Sequence, residues 1–123
     1  MKLAVLGAGS WGLTLTKLLT DNFEEISVWS REEDLPKELV ETKSIKFPVE
    51  VSLDNKIEIS SNLENTIKDA QIILLVVSTS GVRPVCKLLK NAGIKADQTV
   101  VNTSKGLELP TLYRMSEVIT QEL

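Results

Sequence analysis

The sequence contains no histidine and a single cysteine, Cys86, in 123 residues. Without histidine the chain has no Ser-His catalytic pair, no imidazole acid–base group and no histidine ligand for a metal, and we predict no metal site. A single cysteine excludes an intrachain disulfide. Because its neighbours are largely apolar, we predict that Cys86 is a small buried residue in a reducing compartment and not a nucleophile.

Long apolar runs and basic blocks are also missing. The longest apolar run, residues 72–77, is far too short to cross a bilayer. A net charge of −3 without a basic cluster argues against nucleic acid or an acidic membrane as a partner. The first apolar residues are soon interrupted by glycines, which is not typical of a signal peptide. We therefore expect one cytoplasmic domain that does not insert into a membrane.

The most informative stretch is residues 2–12, where a strand-length apolar run leads into Gly7-x-Gly9-x-x-Gly12 and then into a helical pattern. Gly7 permits a tight turn, Gly9 lets a pyrophosphate approach the backbone, and Gly12 lets the helix pack closely on the strand. The helix N-terminus would supply N–H groups to the phosphates. The stretch predicts a dinucleotide site. The alternatives are an ordinary strand-to-helix turn and a methyltransferase-like fold, which usually has an acidic residue where Leu6 stands.

Short apolar runs alternate with helical patterns along the rest of the chain. Strands are predicted at 3–6, 26–29, 57–59, 72–77 and 99–101, and helices at 11–19, 35–40, 63–68, 82–91 and 112–119. Residues 43–56 have mixed polarity and are predicted to be a long connection. This alternation predicts an α/β fold of the Rossmann type, a doubly wound, mostly parallel sheet with helices on both faces.

The end of the second predicted strand bears on the choice of cofactor. It continues into Ser30-Arg31 with no carboxylate at the strand tip. A carboxylate there would bind a ribose 2′-hydroxyl and favour NAD, whereas an arginine accommodates the 2′-phosphate of NADP. Arg31 therefore favours NADP(H) over NAD(H). The alternative is that Arg31 is a solvated residue ahead of an acidic helix start.

Polar residues follow two further predicted strands. Ser78 and Ser80 either cap the next helix or contact a ligand, and capping is the favoured role for Ser80. Arg83, in the first turn of that helix, would face either a phosphate or solvent. Lys105 follows the fifth strand and is a candidate for the substrate phosphate or the nicotinamide side. Taken alone, the same loop is typical of a surface lysine in a turn.

The chain resembles the N-terminal domain of bacterial-type NAD(P)-dependent glycerol-3-phosphate dehydrogenases over essentially all of its length. The markers are Gly7-Ala8-Gly9-Ser10-Trp11-Gly12, Val28-Trp29-Ser30-Arg31, Val82-Arg83-Pro84, Ser104-Lys105-Gly106-Leu107-Glu108 and Ser116-Glu117-Val118-Ile119. Two stretches depart from the family pattern. Residues 42–49 keep only an aromatic–proline trace of Asn-x-x-Tyr-Leu-Pro-Gly, and Val77-Ser78-Thr79 stands in place of Val-Pro-Ser.

The resemblance implies roles for particular residues. Ser10 and Trp11 would contact the cofactor together with the glycine turn, Arg31 would take the adenosine 2′-phosphate, and Lys105 would contact both cofactor and substrate. The implied reaction is hydride transfer between NAD(P)H and dihydroxyacetone phosphate or sn-glycerol 3-phosphate, feeding phospholipid synthesis.

The family's acid–base lysine lies in a helical domain beyond the position that corresponds to Leu123. No catalytic residue is therefore assigned in this chain, which we expect to bind NADP(H) without turning over substrate. Packing against that helical domain and homo-oligomerisation both remain open. An alternative function is a stand-alone NAD(P)-sensing module that docks on a protein partner through the stripe from Leu112 to Ile119.

Overall fold

The computed structural model describes residues 1–46 and 50–123. Its strands are β1 Lys2–Leu6, β2 Glu25–Trp29, β3 Ser44–Ile45, β4 Val51–Ser52, β5 Glu58–Ser60, β6 Ile72–Leu75 and β7 Thr99–Asn102. Its α-helices are α1 Ser10–Leu19, α2 Lys37–Thr42, α3 Leu63–Ile67, α4 Thr79–Asn91 and α5 Met115–Glu122, and Glu32–Asp34 forms a 3₁₀ turn.

Five strands form one parallel sheet in the order β5-β2-β1-β6-β7. The register sets Leu6 beside both Trp29 and Leu75, and Leu75 beside Asn102, so the carboxyl ends of the strands finish at one edge. Strand order reverses between β1 and β6, which is where open α/β sheets bind ligands. The predicted Rossmann-type fold is confirmed.

Both faces of the sheet are covered, and β1 contributes to both because its successive side chains point to opposite sides. Leu3 and Val5 pack in a cluster with residues of α1, α2 and β4. Ala4 and Leu6 pack in a second cluster with residues of α3, α4 and α5. These central strands are apolar on both faces because each face is buried under helices.

The apolar residues that predict helix α1 are divided between the core and solvent, and Leu15 and Leu19 pack against the core. Gly12, Leu13 and Thr16 are its buried residues, whereas Trp11 is 58% and Leu18 71% exposed. The close approach of Gly12 to the Gly7 turn fixes the rotation of the helix. Thr16 is tolerated inside because its hydroxyl donates to the Gly12 carbonyl at 2.8 Å.

The predicted long connection contains regular structure. Strands β3 and β4 pair antiparallel within residues 43–56. The aromatic–proline trace at residues 47–49 lies outside the described residues. The preceding helix begins at Lys37 after Pro36, so Leu35 precedes the helix and is not part of it. Elsewhere, Asn62 caps α3 as predicted, accepting from the Asn65 N–H at 3.0 Å.

The last helix was predicted to carry an apolar stripe from Leu112 to Ile119. Helix α5 begins only at Met115, and Leu112 precedes it with φ +60° and is 62% exposed. Met115 and Val118 are buried in the core beside α4. The prediction that this stripe is a free docking surface is therefore wrong, because Met115 and Val118 are buried in the core of this chain.

Helix lengths in the described residues bear on membrane insertion. Helix α4, with 13 residues, is the longest helix in residues 1–46 and 50–123. Within those residues no helix is long and apolar enough to cross a membrane.

Candidate functional site

A cleft of about 460 Å³ opens at the carboxyl ends of β1, β2 and β6. Its walls come from residues 7–9, residues 29–31 with Asp34, the turn residues Val77, Ser78, Ser80 and Gly81, and Pro84, Val85 and Leu88 of α4. The predicted residues Gly7, Gly9 and Arg31 are thus brought together with the Ser78–Gly81 turn. Four other predicted residues are not among the cleft residues of the described chain: Ser10, Trp11, Gly12 and Lys105.

The glycine turn has little room at two of its three positions. Gly7 has φ +127°, and a Cβ built there would clash with the Val76 carbonyl oxygen. A Cβ built on Gly12 would clash with the Gly7 carbonyl oxygen. At Gly9, by contrast, no heavy atom of the described residues beyond its chain neighbours lies within 4 Å of a built Cβ. The turn leaves open space at the position where a ligand would approach the backbone.

Two helices begin at the cleft, α1 after Gly9 and α4 after Ser78. Glycine has no side chain to cap a helix, and Ser78 makes no side-chain cap hydrogen bond within the described part of the chain. Both N-termini therefore offer N–H groups and partial positive charge to an anion. Such an arrangement suits a diphosphate.

The predicted capping role of Ser80 is wrong. Helix α4 begins at Thr79 instead of Val82, so Ser80 lies in its first turn, where its hydroxyl faces that of Ser78 at 3.1 Å. Ser78 keeps extended backbone angles and the chain turns into the helix directly after it. The two hydroxyls become cleft groups that can donate to a ligand or accept from it.

Arg31 lies on the cleft wall and faces the acidic turn that follows it. Its Nε and Nη2 both lie 2.8 Å from Oδ2 of Asp34, and its Nε lies 3.9 Å from Glu33 Oε1. The Arg31 side chain remains 59% exposed. An anion in the cleft would find this guanidinium accessible but already facing a carboxylate.

The Arg83 guanidinium is paired with carboxylates of this chain and its side chain is only 24% exposed, so the interpretation that it simply faces solvent is wrong. Its Nε and Nη2 bind the two oxygens of Glu108 at 2.7 and 2.8 Å. Its Nη1 lies 2.6 Å from Glu122, and Nη2 also reaches Gln121. The guanidinium thereby joins α4 to α5 and to the loop after Lys105. Its partners lie 25 and 39 residues ahead, beyond any local pattern.

We expect Glu108→Gln to change how stability depends on pH. Hydrogen bonds from Arg83 and Thr111 lower the pKa of Glu108 to about 2 from its ordinary 4.5. The stabilisation from this ionised group is complete above pH 4.5 and declines as the pH falls toward about 2. Urea unfolding from pH 7 to pH 3 should show a smaller acid-induced loss of unfolding free energy in the variant. Parallel profiles for the two proteins would contradict this assignment.

The loop that carries Lys105 is hydrogen-bonded to the carboxyl end of β6 and the residues after it. The Thr103 and Ser104 hydroxyls donate to the carbonyl oxygens of Leu75 and Val77. Gly106 has φ +125° and its backbone lies against Thr79. Lys105 is itself exposed at the sheet edge that forms the cleft.

Cys86 lies in α4 and is fully buried, as predicted. Burial raises the pKa of its thiol to about 11, so it remains protonated at neutral pH.

The similarity of the chain to known proteins agrees with this geometry. The family model for the N-terminus of NAD-dependent glycerol-3-phosphate dehydrogenase matches residues 2–123. The chain belongs to this family.

Relatives named glycerol-3-phosphate dehydrogenase [NAD(P)+] extend the family assignment. The protein from Oceanobacillus iheyensis is 35% identical over 99% of this chain, and that from Thermoanaerobacter sp. is 36% identical over all of it. The chain spans 35% and 37% of the length of these two relatives.

Solved structures show the same fold. The crystal structure of glycerol-3-phosphate dehydrogenase from Coxiella burnetii superposes with a TM-score of 0.83 at 25% identity, covering 99% of this chain and 37% of that chain. The yeast glycerol-3-phosphate dehydrogenase structure, at 23% identity, also gives 0.83 over all of this chain and 39% of that one. At that identity the second likeness concerns the fold alone.

Proposed function

We propose that the chain binds a nicotinamide adenine dinucleotide in the cleft, as the cofactor-binding part of an oxidoreductase. The reaction proposed for the whole protein is hydride transfer between NAD(P)H and dihydroxyacetone phosphate or sn-glycerol 3-phosphate, which feeds glycerophospholipid synthesis. The proposal rests mainly on one observation: two helix N-termini converge on a cleft at the point where strand order reverses.

The cleft fits the parts of such a cofactor. The open space at Gly9 admits a pyrophosphate to the N–H groups of α1. The Ser78 and Ser80 hydroxyls offer further hydrogen bonds, and Val85 and Leu88 supply apolar wall. When bound, the cofactor supplies the hydride chemistry, and the residues of this chain hold and orient it.

We further propose that NADP(H) is preferred over NAD(H), with Arg31 as the ligand of the 2′-phosphate. Support comes from its place on the cleft wall beyond β2, where an arginine accommodates this group. Lys105 is proposed to contact both cofactor and substrate phosphate, supported by its exposure at the same sheet edge.

Calorimetric titration of the purified chain with NADPH, NADH and S-adenosylmethionine tests this proposal. We expect both dinucleotides to bind, NADPH more tightly, and S-adenosylmethionine not to bind. Binding of S-adenosylmethionine without either dinucleotide would overturn the proposed function. Equal affinity for NADPH and NADH would remove the preference and leave dinucleotide binding intact.

Arg31→Ala should weaken NADPH binding by about tenfold, the loss of one charge-assisted phosphate contact. NADH affinity should stay within about twofold because NADH has no 2′-phosphate. Lys37→Ala is the matched control, since it removes an exposed positive charge outside the cleft. The same calorimetric titrations check this, and an equal loss for both cofactors, or for both variants, would contradict the role of Arg31.

A further inference from the structure

The carboxylate of Asp34 already occupies one edge of the Arg31 guanidinium. One oxygen, Oδ2, accepts a hydrogen bond from Nε at 2.8 Å and also lies 2.8 Å from Nη2. Both residues belong to the cleft wall, and they are joined locally, since the Asp34 N–H also donates to the Arg31 carbonyl at 3.0 Å. Any anion that approaches Arg31 from the cleft therefore meets a negative charge next to the positive one.

A phosphate and this carboxylate compete for the same donors. Guanidinium groups bind phosphate best through two parallel N–H groups on one edge. The edge formed by Nε and Nη2 already faces Asp34, so a 2′-phosphate must displace Asp34 or bind another edge with a like charge nearby. A ribose 2′-hydroxyl carries no charge and does not meet this repulsion.

We propose that Asp34 is a specificity-determining residue that competes with the adenosine 2′-phosphate for Arg31. In doing so it limits the preference for NADP(H) over NAD(H). The inference rests on the proposed cofactor function and assigns to Asp34 an effect on the choice between NADP(H) and NAD(H). Because the two side chains are 59% and 50% exposed, solvent screens the pair, and Asp34 biases the choice without blocking NADP(H).

Asp34→Asn tests the proposal because asparagine keeps the size of the side chain and removes its charge. We expect NADPH affinity to rise about fivefold, the scale of an exposed ion pair with added relief of repulsion. NADH affinity should stay within about twofold. Asp34→Ser provides a second neutral side chain, and thermal melts of both variants verify that they fold. Titrations belong at about 0.15 M ionic strength, since low salt exaggerates surface charge effects.

Glu32→Gln is the matched control. Glu32 lies in the same 3₁₀ turn and loses the same charge, but the ion pairs of Arg31 in the described residues are with Glu33 and Asp34. Both cofactor affinities of this variant should stay within about twofold of the parent chain. In an Arg31→Ala background, Asp34→Asn should no longer strengthen NADPH binding selectively, because the group for which it competes is gone.

The outcomes separate this inference from the function on which it rests. If neither dinucleotide binds the parent chain, the proposed function fails and this inference fails with it. If both bind but Asp34→Asn leaves NADPH affinity unchanged, or raises both affinities equally, only the role of Asp34 is overturned. An equal gain from Glu32→Gln, or a gain that persists without Arg31, would likewise overturn it.

Discussion

Gly9→Ala should weaken cofactor binding by about 10- to 100-fold, because a methyl group would occupy the approach to the first N–H groups of α1. The fold should survive. Gly9 has φ −74° and ψ 173°, which alanine adopts freely, and its built Cβ meets open space. Alanine is a poorer N-cap than glycine but reduces the entropy of the unfolded chain, so stability should change by no more than about 1 kcal/mol.

Calorimetry with NADPH and a urea unfolding curve check the two halves of this expectation. Leu18→Ala is the control on the same helix, since Leu18 is 71% exposed and lies outside the cleft. It should change neither affinity nor stability appreciably. If the Gly9→Ala protein folds and binds NADPH as tightly as the parent chain, the proposed position of the pyrophosphate at this turn is contradicted.

Gly12→Ala should destabilise the protein by about 2–3 kcal/mol, although alanine is the better helix former by about 1 kcal/mol. The reason is steric. A Cβ at Gly12 would overlap the Gly7 carbonyl oxygen, which is backbone and has no rotamer to change. The helix must therefore move away from the end of β1, with loss of packing in the core around Leu13.

Urea unfolding checks this second expectation, with the midpoint and slope compared against the parent chain and Leu18→Ala. The sign is the decisive result. A gain in stability would mean that helix propensity outweighs the contact and that α1 does not pack on the Gly7 turn as described. A loss confined to cofactor affinity would contradict the steric account in the same way.

Local patterns predicted the features whose causes are local. The apolar run of β1, the glycine turn and the Asn62 cap each depend on residues within a few positions of one another, and all three appear in the structure. The pairing of Arg31 with Asp34 has a local signal too. A carboxylate three residues after an arginine is a short-range pair that a scan for charge spacing would have marked.

Features that depend on distant parts of the chain were missed. The partners of Arg83 lie on another loop and another helix, so no window around residue 83 contains them. The helical pattern of α1 alone did not show that Trp11 and Leu18 lie on its exposed side, because the packed sheet decides which side of the helix is buried. Met115 and Val118 look like a docking stripe until α4 is seen to cover them.

Binding of NADPH to the cleft is tested most directly by the backbone amide spectrum of the isotope-labelled chain during titration. We expect the largest shifts at Gly7, Gly9, Arg31, Ser80 and Gly81, the residues that surround the cleft. Amides of Asp69 and Gln71, next to the amino end of β6, should barely move. Shifts concentrated near Asp69 and Gln71, or none at saturating NADPH, would contradict the central claim.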